Sequence, residues 1–307
     1  RFVLRPRDID CKDRERPSPD GKHSGVVTVA VDPIIALESF GYTDREAAFL
    51  YLVAAHSGYF VRRQFDYFTD RNKGSIVMRF LEKARAAGHI EALDYRQGWH
   101  VYHLCSRSPY RLLGNAESQY RRRKGDAQVR ARLIALDYVL ENEDNHYLVS
   151  NADRVRFFAV DRRVAPEVFT GDDGSLFPLL ASFPISLADR MRPAQSSVRF
   201  AFIDEGLSTT EKFLRFLVAA DPLLCAVGNF EVVYVSGSAF HFSAAKDAFW
   251  SRFSAPLRSS RLFDEDVRSV AAQSRVTLQP RFTTLLLRYS YPVVRRSEVR
   301  GSARVRI

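Results

Sequence analysis

Apolar positions along the chain change period several times, and each change marks an element. Thr43-Asp44-Arg45-Glu46 has the form of a capping box, in which a Thr and a Glu three residues on satisfy each other's backbone N–H groups. Ala47, Leu50 or Tyr51 and Ala54 follow at helical spacing, and His56-Ser57-Gly58 stops the helix. Tyr59-Phe60-Val61 predicts a brief extended piece. Residues 62–68 predict a short helix with Phe65 and Phe68 on one face, and 70–74 a turn. A third helix over 75–87 has Ile76, Phe80, Leu81 and Ala84 pointing inward. Gly88 stands where a left-handed residue closes a helix. Residues 89–95 and 99–105 read as strands joined by the turn Arg96-Gln97-Gly98.

Helix, short strand, helix, turn, helix and hairpin within residues 41–105 is the layout of a winged helix-turn-helix. Residues 1–40 read as an N-terminal arm holding one strand candidate, 26–31, and an ambiguous stretch, 33–40. Residues 106–126 read as a basic linker. From 127 the pattern alternates. Helices are expected over 127–141, 150–158, 208–219, 244–253 and 264–274. Strands are expected over 146–149, 183–187, 198–203, 230–235 and 283–291. That alternation predicts a mixed-sheet α/β domain over 127–290, followed by a basic tail, 291–307. The fold class is thus α+β or α/β, with a helix-turn-helix ahead of a sheet domain.

Composition removes several classes. Hydrophobic residues at 46% and charged residues at 27% match a globular protein and exclude global disorder. The most apolar stretch, 213–235, is interrupted by Arg215, Asp221, Asn229 and Glu231, so no membrane span and a cytoplasmic location are expected. The start, Arg1-Phe2-Val3-Leu4-Arg5, reads as neither a signal peptide nor an initiating Met, which predicts a trimmed or missing first segment. Cys11, Cys105 and Cys225 are odd in number and far apart, so neither a disulfide scaffold nor a zinc ribbon is expected.

Net charge is +10, yet 39 of the 46 basic residues are Arg, a bias that need not carry function. Distribution says more. Residues 60–132 hold 16 basic against 7 acidic residues, a net of +9 that points to a polyanionic partner.

In a winged helix-turn-helix the third helix enters the major groove of duplex DNA. With its apolar face inward, that helix presents Lys73, Ser75, Arg79, Glu82 and Lys83. Arg79 suits bidentate contact to guanine, while Lys73, Ser75 and the helix-start amides suit a phosphate. Arg62 and Arg63 are placed to clamp the opposite backbone, and Arg96 and Gln97 to reach from the wing tip. Arg121, Arg122, Arg123 and Lys124 are candidates for phosphate across the adjacent groove, or for a solvated linker. His100 and His103 are expected on one strand face, as wing or core residues rather than metal ligands. Winged helices also dock proteins, so an interaction adaptor is an alternative. A homodimer is the expected state, because such readers engage paired half-sites.

In the second domain, Val198-Arg199-Phe200-Ala201-Phe202-Ile203-Asp204-Glu205-Gly206 ends a strand with two carboxylates, and Asp189 follows an earlier strand. The order of elements over about 127–250 resembles the core of restriction-endonuclease-like nucleases. That family places an Asp on one strand and Asp/Glu-x-Lys on the next. Asp189, Asp204 and Glu205 would be the acids of such a metal-dependent nuclease, but no Lys follows before Lys212. The core therefore reads as degenerate and no cofactor is expected. Phosphate-loop, dinucleotide and nucleophile-elbow motifs are absent. Gly41-Tyr42-Thr43-Asp44-Arg45-Glu46, Arg79-Phe80-Leu81 with Gly88-His89-Ile90, and Val198–Glu205 together resemble the replication-relaxation family of bacterial mobile-element and plasmid proteins. The resemblance implies DNA binding in replication, transfer or transcriptional regulation, with a non-catalytic α/β domain for dimerisation or a partner.

Overall fold

A computed structural model describes residues 32–70, 74–95, 99–171, 174, 176–177, 180, 183–188, 195–206, 210–253, 278–287 and 291. The strand expected over 26–31, the helix over 264–274 and the tail after Tyr291 lie outside them.

Helix α1 (Pro33–Glu38) occupies the stretch that the pattern left ambiguous. Asp32 caps it through Ile34 N, Pro33 presets its first turn, and Leu37 is buried against α2 (Asp44–His56). The capping box of α2 forms as its sequence predicts, Thr43 N donating to Glu46 at 2.9 Å. Strand β1 (Tyr59–Phe60), α3 (Arg62–Phe68), α4 (Gly74–Ala86), β2 (Ile90–Asp94) and β3 (His100–Leu104) follow. Their three strands pair antiparallel in the order β1-β3-β2.

Two details differ from the pattern. Val77, not Ile76, is fully buried on α4, with Phe80, Leu81 and Ala84. These four positions sit one and two turns apart, a tighter stripe than one that starts at Ile76. His100 and His103 lie on opposite faces of β3, because an odd offset alternates sides. Both meet a carboxylate, His100 at Asp94 (2.8 Å) and His103 at Glu91 (3.0 Å).

The segment read as a linker is structured. It holds α5 (Arg107–Leu112), which buries Tyr110, and a turn at Gln119–Arg121. Tyr120 lies so close to Gly58 that a Cβ there would stand 2.3 Å from the Tyr120 carbonyl oxygen. Gly58 also has φ +77°, so it answers both a left-handed turn and a close approach.

Helix α6 (Asp126–Glu141) is buried all round from Leu133 to Leu140. Leu136 and Leu140 join the core of α2, α3 and α4, while Val129, Leu133, Ile134 and Val139 pack with Ala201, Ile203, Val233 and Val235 of the second sheet. That sheet runs β4 (His146–Tyr147), β5 (Ile185–Leu187), β6 (Val198–Asp204), β7 (Asn229–Ser236) and β8 (Gln279–Leu286) in spatial order. The first three strands are antiparallel neighbours, and β6, β7 and β8 run parallel. Helix α7 (Asn151–Arg156) follows β4, α8 (Thr210–Val227) joins β6 to β7, and α9 (Phe242–Phe253) follows β7. Phe200, Phe202, Phe230, Val232 and Tyr234 face α8 and α9, while the alternate residues face α6. The class is therefore α+β with a mixed sheet.

Helix α8 runs eight residues beyond the expected Ala219 and passes through Pro222. A proline there forfeits one helical hydrogen bond. Burial of Ala220, Leu223, Leu224 and Val227 carries the helix on until Gly228 turns it at φ +75°.

Candidate nucleic-acid interface

Burying Val77, Phe80, Leu81 and Ala84 turns Ser75, Arg79 and Glu82 outward on one face of α4, as the sequence predicts. Among the described residues Arg79 makes one long contact, 3.4 Å, to the Ser75 carbonyl. Met78 (43% exposed) and Arg85 occupy the flank on one side of that face. Lys83 is on the other flank and is not free for DNA. Its ammonium donates to Glu46 (2.5 Å) and to the Gly41 carbonyl (3.0 Å), and stands 5.6 Å from the Tyr42 ring centre. The capping-box glutamate of α2 thus also anchors α4.

Arg63 is likewise drawn inward, away from the clamp expected of it. Its guanidinium makes a bidentate pair with buried Asp137 of α6, at 2.9 and 3.1 Å, and reaches the Tyr291 hydroxyl. Gln64 donates to the same carboxylate at 2.8 Å and to the Leu133 carbonyl at 2.9 Å. The Tyr291 hydroxyl donates to Asp137, and burial followed by that carboxylate holds its pKa well above the ordinary value. Arg62, beside it in sequence, is exposed, and among the described residues its ion pair is with Asp66 at 3.6 Å.

The four basic residues of the bridge divide as well. Arg123 grips Glu91 of β2 in a bidentate pair. Burial opposes ionisation of Glu91, but His103 and Arg123 outweigh it and bring its pKa down to about 2. Arg121 lies 3.9 Å from Glu117, whereas the Arg122 side chain is exposed. Partial burial, then Arg132 and Arg122, lower the Lys124 pKa. Like charges crowd there, which favours an anion. Lys73, Arg96 and Gln97 lie outside the described residues.

Arg79, Arg85, Arg111 and Arg122 make no ion pair among the described residues. Arg85 and Arg111 were missed in the sequence. Arg85 lies one helical heptad after Met78, a spacing that could have placed both on a flank of α4.

No protein-family model, curated protein or solved structure matches this chain. Among the described residues no helix is long and apolar enough to cross a membrane.

The acids considered for a nuclease are held in other ways. Asp189 lies outside the described residues. Asp204 is buried at the end of β6 and accepts from Gly206 N (2.9 Å), the Tyr234 hydroxyl (2.9 Å) and the Ser236 hydroxyl (3.4 Å). Glu205 pairs instead with Lys212, at 2.7 and 2.9 Å. Lys212, remote in spacing, is therefore near in space. A divalent cation needs several oxygen ligands converging on one point. Here one carboxylate is engaged by three protein donors and the other by an ammonium, so the pair does not fit that requirement. Among the described residues no three His, Cys, Asp or Glu gather as a metal group. Cys105 and Cys225 are half-buried, and burial with Asp221 pushes the Cys225 thiol up to about 12, which makes it unreactive.

Proposed function

We propose that this chain binds double-stranded DNA, with residues 41–105 acting as a winged helix-turn-helix and α4 as the reading helix. The order α2, β1, α3, α4, β2, β3, with sheet order β1-β3-β2, supports that reading. The observation that carries it is the outer face of α4, where Ser75, Arg79 and Glu82 are exposed and Arg79 makes no ion pair among the described residues. Arg122 and the crowded Lys124 extend positive charge along the bridge. The α/β part, with its carboxylates engaged, serves dimerisation or partner binding rather than catalysis. Its elements run as an antiparallel meander, a crossover helix and a parallel strand. That order is consistent with a degenerate restriction-endonuclease-like core, and with a regulator or replication and transfer factor of the replication-relaxation kind.

Selection of bound fragments from genomic DNA supplies the site. On it, Arg79→Ala is expected to cost about 1–3 kcal/mol and to relax preference at one base position. Equal affinity for the wild type and this variant, with no dependence on salt, would count against the proposal.

A further inference from the structure

We propose that the open groove between α3, α4 and the β2–β3 hairpin is a phosphoryl-binding site formed by Arg62, Arg85 and the Tyr102 hydroxyl. The inference rests on the DNA-binding reading, in which its occupant is a backbone phosphodiester of the bound duplex. The groove is open and has a volume of about 820 Å³, ample for a phosphate group.

Arg62 enters from the start of α3 and Arg85 from the last turn of α4. Tyr102 lines the same groove from β3, its ring stacked on Phe60 at 5.4 Å and 26°. Burial raises the Tyr102 pKa, Arg85 and then Arg62 oppose that rise, and Asp94 adds to it. That hydroxyl has no protein hydrogen-bond partner among the described residues. No carboxylate among them lies within ion-pair distance of Arg85. Of the two acids in the groove, Asp66 lies beside Arg62 and Asp94 is held by His100. Arg85 is therefore left uncompensated. The Arg62–Asp66 pair, 3.6 Å long and half exposed, is of the kind that yields readily to a better anion. Two guanidinium groups and a neutral hydroxyl donor match the oxygens of a phosphate.

Position agrees with chemistry. Arg85 and Met78 form the flank of α4 next to the Ser75, Arg79 and Glu82 face. A strand held in the groove would thus run beside the bases that this face reads.

The test uses the full chain and a non-specific duplex, with affinity measured against salt. Each phosphate contact contributes about 0.9 to the log–log slope. Arg85→Ala is expected to make the slope shallower by about one unit. Tyr102→Phe should weaken binding at unchanged slope, since it removes a donor and no charge. Arg85 is exposed, so its variant should melt as the wild type does. If the wild type binds DNA and the slope stays the same in Arg62→Ala/Arg85→Ala, the groove assignment is overturned.

Failure of the wild type to bind DNA sinks the DNA reading itself, and a second measurement then decides the groove. The chain has two tryptophans, and Trp99 lines the groove. In a Trp250→Phe background, inorganic pyrophosphate should change Trp99 fluorescence saturably, and Arg85→Ala should abolish the change. That result retains a site for a free phosphoryl ligand. An unresponsive Trp99 overturns the proposal altogether.

Discussion

Asp137→Ala is expected to lower the unfolding free energy by about 3 kcal/mol. Removing one partner of a buried ion pair costs roughly 3–5 kcal/mol, because the other charge is left without compensation. Asp137 is 3% exposed and receives Arg63, Gln64 and Tyr291 together. The lower end of that range applies, since the Arg63 side chain is 25% exposed and water reaches part of it. The cluster joins α3, α6 and the segment after β8, so its loss should loosen the helix pair that presents α4. Urea denaturation of the purified variant measures the change, and DNA affinity below the melting range measures the loosening. A loss under about 1 kcal/mol would show that the cluster carries little of the packing. Asp137→Asn keeps one acceptor oxygen and should fall between the wild type and the alanine variant.

Phe80→Ala should cost about 3–5 kcal/mol, the usual range for deleting a fully buried aromatic ring. Phe80 is fully buried and stacks on Phe65 at 4.3 Å and 6°, with Phe49 and Phe60 each 6.0 Å away. Those rings come from α2, β1 and α3, so the void would open where α4 meets all three. Partly exposed Ile76 provides the control: Ile76→Ala should cost clearly less than Phe80→Ala. A chemical-denaturation series settles both. Equal losses at the two positions would contradict the register of α4 described above.

Much of the first 65 residues after Gly41 could be read directly, because local rules decide them. The capping box at Thr43 and Glu46, the stop at Gly58 and the closing Gly88 are contacts among near neighbours in sequence. Outward exposure of Ser75 and Arg79 follows from helical period alone. The one-residue error at Ile76 has a plain cause. Two apolar residues in succession, Ile76 and Val77, leave the period ambiguous, and only the ring of Phe60, Phe65 and Phe49 around the helix chooses between them.

Other residues had no local signal. Lys83, Arg63 and Arg123 read as outward cations on helix or bridge surfaces. Their acids are Glu46, Asp137 and Glu91, 37, 74 and 32 residues away. No window of sequence joins them, so the folded chain removes three of the twelve cations and polar groups expected to meet DNA. The same reason explains Lys212. Spacing rejected it as a partner for the acids after β6, yet the first turn of α8 returns it to Glu205.

By itself, the sequence determined the order of elements from α2 to β3, a mixed helix-and-sheet class, the excess of positive charge over residues 60–132 and the outer face of α4. Each depends on residue type and period within one element. The tertiary structure decided which of those charges remain available, that α6 serves both the helical core and the sheet, and that Arg62, Arg85 and Tyr102 share one groove. Those outcomes depend on pairings between residues distant in sequence, where a carboxylate brought to within 3 Å of a guanidinium counts for more than any local pattern.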